Sequence, residues 1–140
     1  MTFSRRQFVG TALTAAVALA VGPGIARAEL VDDAINAFTG GADMETGGIT
    51  LIAPEIAENG NTVPIEVDAP GAESIIIFAA GNPNPSVATF NFGALAGSAA
   101  VSTRIRLAGE QEVIAIARMP DGTFKMARQN VRVTIGGCGG

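Results

Sequence analysis

From residue 49 to residue 135 the chain consists of short apolar, β-branched runs separated by turn-forming residues. The Asp121-Gly122 pair between two of these runs is a strong hairpin signal. Seven or eight short strands in about 90 residues, with turns roughly every 8–12 residues, are typical of an immunoglobulin-like antiparallel β-sandwich. The sequence therefore predicts an all-β fold, with strands at 49–52, 63–67, 74–80, 87–92, 99–107, 110–118, 123–129 and 131–135.

Two of the runs alternate in a way that assigns their faces. In the first run, one face carries the apolar or small residues at 101, 103, 105 and 107, and the other carries Ser102, Arg104 and Arg106. In the second run, positions 113, 115 and 117 lie on one face and positions 114, 116 and 118 on the other. Arginine at every second position indicates a solvated or partner-facing side. The run at 75–78 is apolar on both faces, so we expect a helix or another chain to cover one of them.

One short helix precedes the strands. Apolar residues recur between Leu30 and Phe38 with a period close to 3.6, and Gly40-Gly41 follows as a stop signal. The pattern predicts a helix over 30–38, with Asp32 and Asp33 in a first turn where the helix dipole favours negative charge.

The first 28 residues have the features of an export signal. Arg5-Arg6 is followed by a modest apolar stretch from 8 to 21 and then by Ala26-Arg27-Ala28, a small-x-small cleavage pattern. A transmembrane anchor is the alternative, but the stretch is too short to cross about 30 Å comfortably. We predict a twin-arginine signal at 1–28, a sandwich domain at 29–135, an arm at 136–140, and a periplasmic protein without a membrane anchor. Cleavage would leave six basic and 13 acidic residues, a formal charge of −7.

Composition excludes most catalytic chemistry. The chain has no histidine, tryptophan or tyrosine and a single cysteine. These counts rule out histidine-based acid–base catalysis, Ser-His-Asp and Cys-His pairs, an internal disulfide and nearly every zinc or haem site. The formal charge of −4 gives a nucleic-acid partner no support. We expect no catalytic residue, no metal site and no cofactor.

The carboxyl terminus has the one distinctive chemical feature, a cysteine flanked by glycines: Gly136, Gly137, Cys138, Gly139 and Gly140. Glycine orders at high entropic cost, so we expect this segment to be flexible. Extended, the three residues from Ile135 to Cys138 span about 10–11 Å. The nearest cation in sequence is Arg132, and the terminal carboxylate opposes thiolate formation. The pattern predicts a passive thiol on a slim arm, loaded with a covalent group by other enzymes.

The sequence resembles the SoxY family, the sulfur carrier subunits of the periplasmic thiosulfate-oxidising Sox system. The resemblance rests on the terminal pentapeptide and on the segments FTGGA at 38–42, PEIAENGNTVP at 54–64 and STRIRL at 102–107. It implies an immunoglobulin-like sandwich that forms a heterodimer with SoxZ. It also implies that Cys138 is conjugated to thiosulfate by a cytochrome complex, after which a hydrolase and a sulfur dehydrogenase act on the adduct in transient contacts.

Two other functions remain open from the residues alone. A single-cysteine thiol enzyme, such as a peroxidase or a sulfurtransferase, needs a low-pKa thiolate in a shaped pocket, which a glycine-flanked terminal cysteine cannot preorganise. A structural adaptor would not need Cys138 at all.

Overall fold

The computed structural model describes residues 22–134, which form one helix and nine strands. In chain order these are α1 (Pro23–Thr39), β1 (Met44–Thr46), β2 (Thr50–Ile52), β3 (Ile56–Ala57), β4 (Val63–Asp68), β5 (Ser74–Ala79), β6 (Ser86–Asn91), β7 (Ala100–Ile105), β8 (Gln111–Arg118) and β9 (Phe124–Val133). The larger sheet has the order β1-β9-β8-β5-β6, with β3 also paired to β9, and the smaller sheet has the order β2-β4-β7. The predicted β-sandwich is confirmed.

The main core lies between the two sheets. On β4 the inward side chains of Val63, Ile65 and Val67 are at most 1% exposed, while the alternate residues are exposed. Val113 and Ala115 on β8 lie in the same core. Ile114 and Ile116 belong to a second cluster on the other face of the larger sheet, so the alternation predicted for this strand is confirmed.

The helix covers the outer face of the larger sheet. Val31 and Ile35 of α1 pack in one cluster with Ile76 and Phe78, and Phe78 is fully buried. The run at 75–78 is thus covered on both faces within this chain, and it gives no reason to expect a partner there.

The helix begins earlier than the periodicity predicted, at Pro23 instead of residue 30. The added segment contains Ala26, Arg27 and Ala28, which are good helix formers, and a proline at the first position is compatible with a helix start. The expectation that Asp32 and Asp33 lie in the first turn was therefore wrong, because that turn contains no acidic residue.

The sequence predicted an antiparallel sandwich, but two of the strand pairs are parallel. Both β1 and β3 pair in parallel with β9, on the edge of β9 away from β8. Between them the chain crosses to the smaller sheet to form β2, and Gly47 and Gly48 permit the first crossing with φ values of 106° and 72°. The runs predicted at 123–129 and 131–135 are one strand, β9, because β8 pairs with it continuously from Phe124 to Val131.

The hairpin predicted at Asp121-Gly122 is confirmed, since it joins β8 to β9. Gly122 has a φ of 83° and its N–H donates to the carbonyl of Met119 at 3.0 Å. The Asp121 carboxylate accepts from the Thr123 hydroxyl at 2.6 Å and from the Thr123 N–H at 2.9 Å. These hydrogen bonds, the one from the hydroxyl foremost, lower the pKa of Asp121 below its usual value.

Candidate functional site

The predicted site residues Gly136, Gly137, Cys138, Gly139 and Gly140 all lie outside the described residues. The structure does place the end of the segment that precedes them in the chain. Thr134 directly follows β9 and is the last described residue, four positions before the cysteine. We call Thr134, together with the end of β9, the arm root.

A short neighbouring strand holds the arm root in place. The Arg132 N–H donates to the carbonyl of Glu55 at 2.9 Å, and the Thr134 N–H donates to the carbonyl of Ala57 at 3.0 Å. The Thr134 hydroxyl donates to the carbonyl of Glu58, also at 3.0 Å. Backbone pairing beside β3 therefore continues to the last described residue.

Sequence reasoning missed this anchor. The strand that provides it, Ile56–Ala57, has two residues, which is shorter than any strand pattern that periodicity can detect. The hydroxyl of Thr134 gave no signal either, because its acceptor lies 76 residues earlier in the chain.

On the other side of β9, a side-chain network orders two loops at the same end of the sandwich. Gln111, which opposes Val131 across the β8–β9 pair, donates from Nε2 to Asn82 Oδ1 at 2.9 Å. Its Oε1 accepts from the Gly81 N–H at 2.9 Å, and Asn82 Nδ2 donates to the carbonyl of Arg106 at 2.8 Å. The loops after β5 and β7 are thus tied to the strand beside the arm root.

The surface around the arm root is exposed and of mixed character. Ile56 is 57% exposed and opposes Arg132 in the β3–β9 register. The Arg132 Nε lies 4.0 Å from Glu110 Oε1, and Glu55 and Glu58 are both exposed. A shallow groove of about 330 Å³ is lined by Glu55, Ile56, Gln129, Asn130 and Arg132.

The predicted signal cleavage point lies within α1. Residues 24–30 are exposed, and burial of the helix begins at Val31. Arg27 and Ala28 line a cavity of about 440 Å³ together with Glu110 and Gln111, so the predicted junction lies at the same end of the sandwich as the arm root. Residues 1–21 lie outside the described residues, and cleavage remains a prediction.

Neither metal-binding nor membrane-spanning features occur in the part of the chain that the structure describes. Among residues 22–134, no group of three or more Asp, Glu, Cys or His side chains is arranged to hold a metal ion. The described helix is not long and apolar enough to cross a bilayer. Asp121, whose pKa is lowered by the hydrogen bonds from Thr123, lies at the opposite end of β9 from the arm root.

Comparison with known proteins gives a family match over most of the chain. Residues 35–138 match the family described as sulfur oxidation protein SoxY. The structure of the sulfur carrier protein SoxY from Chlorobium limicola f. thiosulfatophilum is 37% identical, with a TM-score of 0.67, and the match covers 77% of this chain and 99% of that one. A superoxide reductase (neelaredoxin) from Ignicoccus hospitalis is 19% identical, with a TM-score of 0.52 over 79% of this chain and 92% of that one, which shows a shared fold only. No curated protein sequence matches the chain.

Proposed function

Because the chain belongs to the SoxY family of sulfur oxidation proteins, we propose that it carries sulfur intermediates on Cys138 during thiosulfate oxidation and presents them to partner enzymes. The main supporting observation is the geometry of the arm root. β9 is anchored through Thr134, and the chain's single cysteine follows four residues later. Four extended residues reach at most about 13–14 Å, enough for a thiol to enter a pocket in another protein.

The loading step forms a sulfur–sulfur bond. The Cys138 thiolate and the outer sulfur of thiosulfate join as an S-thiosulfonate, and the two electrons released pass to a cytochrome. Hydrolysis of the terminal S–S bond by water then releases sulfate and two protons, and it leaves a sulfane sulfur on the cysteine. Each step uses an oxidant or a catalyst outside this chain, whose own part is to hold and present the sulfur.

A non-catalytic role is consistent with the chemistry available near the arm. The chain has no histidine to act as a general base near neutral pH. The basic group nearest in sequence, Arg132, is 70% exposed at its side chain and lies near Glu110, so it does not form an enclosed electropositive pocket for a thiolate.

We further propose a heterodimer with SoxZ and export to the periplasm by the twin-arginine route. Family membership and the Arg5-Arg6 leader support these two proposals. The apolar run at 75–78 does not, because α1 already covers it. Co-sedimentation of the mature chain with SoxZ tests the first proposal, and the mass of the periplasmic protein tests the second.

The experiment that tests the carrier function is the intact mass of the mature protein from cells oxidising thiosulfate. We expect adducts on Cys138 that a reductant removes, and we expect Cys138→Ser to abolish turnover of the reconstituted system while the fold is retained. Turnover that persists in Cys138→Ser would favour a structural adaptor. A thiol pKa well below the usual value of about 8.5 would favour a thiol enzyme instead.

A further inference from the structure

We infer that the exposed surface around the arm root is where enzymes acting on Cys138 dock. We call it the root surface, and it consists of Glu55, Ile56, Glu58, Glu110 and Arg132. The inference rests on the proposed carrier function and adds to it the part of the body that a partner enzyme must contact.

The length of the arm sets how closely a partner must approach. From Thr134 to Cys138 the chain spans at most about 13–14 Å. The opposite end of the sandwich is about 30 Å from the arm root, because the ten-residue β9 rises about 3.3 Å per residue. If an enzyme's active site is recessed below its surface, most of the length of the arm must lie inside that recess for Cys138 to reach the site. The rim of that recess must therefore contact the end of the sandwich from which the arm leaves.

The root surface has the arrangement of an interface, with one apolar side chain surrounded by charged ones, although three of its five residues are glutamates, a type that is more common at the rim of an interface than at its centre. An apolar centre surrounded by polar and charged groups is the usual arrangement where proteins associate, and arginine is enriched there. Ile56 is 57% exposed, the side chain of Arg132 opposite it in the β3–β9 register is 70% exposed, and that of Glu110, 4.0 Å from Arg132, is 59% exposed. The groove of about 330 Å³ next to Ile56 offers a place for one partner side chain.

The charges indicate what the partner presents. Within residues 22–134, Glu55 and Glu58 form no ion pair, although both are exposed. Arg132 already lies near Glu110. The root surface thus fits an enzyme whose entrance carries an apolar side chain opposite Ile56 and basic groups opposite the two glutamates.

The root surface is also preorganised. The carbonyls of Glu55 and Glu58 accept hydrogen bonds from β9 and Thr134, so their positions are fixed relative to the start of the arm. Docking on a rigid surface aligns the arm with the entrance at a small entropic cost.

The test compares Ile56→Glu with Leu95→Glu in the mature chain together with its SoxZ subunit. Leu95 is fully exposed in the loop between β6 and β7, at the opposite end of the sandwich, so it is a matched control. We expect kcat/KM for enzymatic loading to fall about tenfold for Ile56→Glu, the usual effect of removing an interface anchor. Leu95→Glu should load normally, and both variants should react with iodoacetamide at the wild-type rate.

A second pair of variants tests the charges. Reversing Glu55 and Glu58 to lysine should lower the loading rate and reverse its dependence on salt, whereas Glu73→Lys, at the opposite end, should change neither. Because all three positions are exposed, the circular dichroism spectrum and thermal midpoint should stay at wild-type values.

Three results would overturn the inference. One is normal loading of Ile56→Glu while Cys138→Ser remains inactive, which leaves the carrier function intact. Another is an equal loss of loading in Leu95→Glu. The third is an altered sedimentation mass for Ile56→Glu, which would identify the root surface as a contact with SoxZ or with a second copy of this chain. Activity that survives Cys138→Ser would instead overturn the carrier function itself.

Discussion

The hydroxyl of Thr134 donates a hydrogen bond to the backbone carbonyl of Glu58 at 3.0 Å. This bond joins the last described residue before the arm to the end of a two-residue strand, across 76 positions of sequence. Together with the two backbone bonds from Arg132 and Thr134, it fixes Thr134 beside β3, at the end of the described chain.

Loss of this hydroxyl should loosen the arm root. In Thr134→Val we expect faster amide exchange at Arg132 and Thr134, because their N–H groups pair with β3. If 132–134 then detach from β3, the number of residues between the last anchored position and the thiol grows from four to seven, and we expect the effective concentration of the thiol at an enzyme to fall about twofold. Thr134→Ser keeps the donor and should restore both readings. Unchanged exchange in Thr134→Val would show that the hydroxyl does not hold the end of β9 in place.

The arm's glycines should matter for entry into a partner. Gly137→Val and Gly139→Val each widen the arm and restrict its backbone. We expect both variants to react normally with a small alkylating reagent but to be loaded more slowly by the partner enzymes. Loading at the wild-type rate would mean that the glycines provide flexibility alone.

Removal of residues 1–28 should leave the fold intact. Residues 24–30 are exposed, whereas Val31 and Ile35 make the contacts with the sheet. A chain starting at Glu29 would also have Glu29, Asp32 and Asp33 near the new helix start, where the dipole favours them. We expect the mature chain to melt within a few degrees of a chain that starts at Gly22. A markedly lower midpoint, or an uncleaved amino terminus in the periplasm, would contradict this.

The Asp121-Gly122 turn should make stability depend on pH in acid. Hydrogen bonds from Thr123 lower the pKa of the folded Asp121 carboxyl, so the ionised form favours the folded state. That contribution is present above the ordinary aspartate pKa of about 3.9 and is lost as the pH falls through the lowered folded value. Unfolding of wild type and Asp121→Asn, compared at several pH values, should show an advantage for wild type that shrinks in acid. A difference that does not change with pH would contradict the assignment.

The sequence alone determined the features that local patterns encode. Alternation with a period of two assigned the faces of β7 and β8, and Asp121-Gly122 located the final hairpin. The position of the single cysteine in its glycine segment predicted a carrier from the sequence alone. These signals are legible because strand alternation and turn preference depend on residues only a few positions apart.

Only the tertiary structure decided how those parts meet. Three features join segments that are distant in sequence. They are the parallel pairing of β1 and β3 with β9, the packing of α1 over Ile76 and Phe78, and the Thr134–Glu58 hydrogen bond. Such contacts depend on which sheet edge and which face remain available once the core has formed, and the same local sequence is compatible with several choices. The carrier arm was therefore predicted from the residues and remains a prediction, whereas the anchoring of Thr134 and the surface around it required the fold.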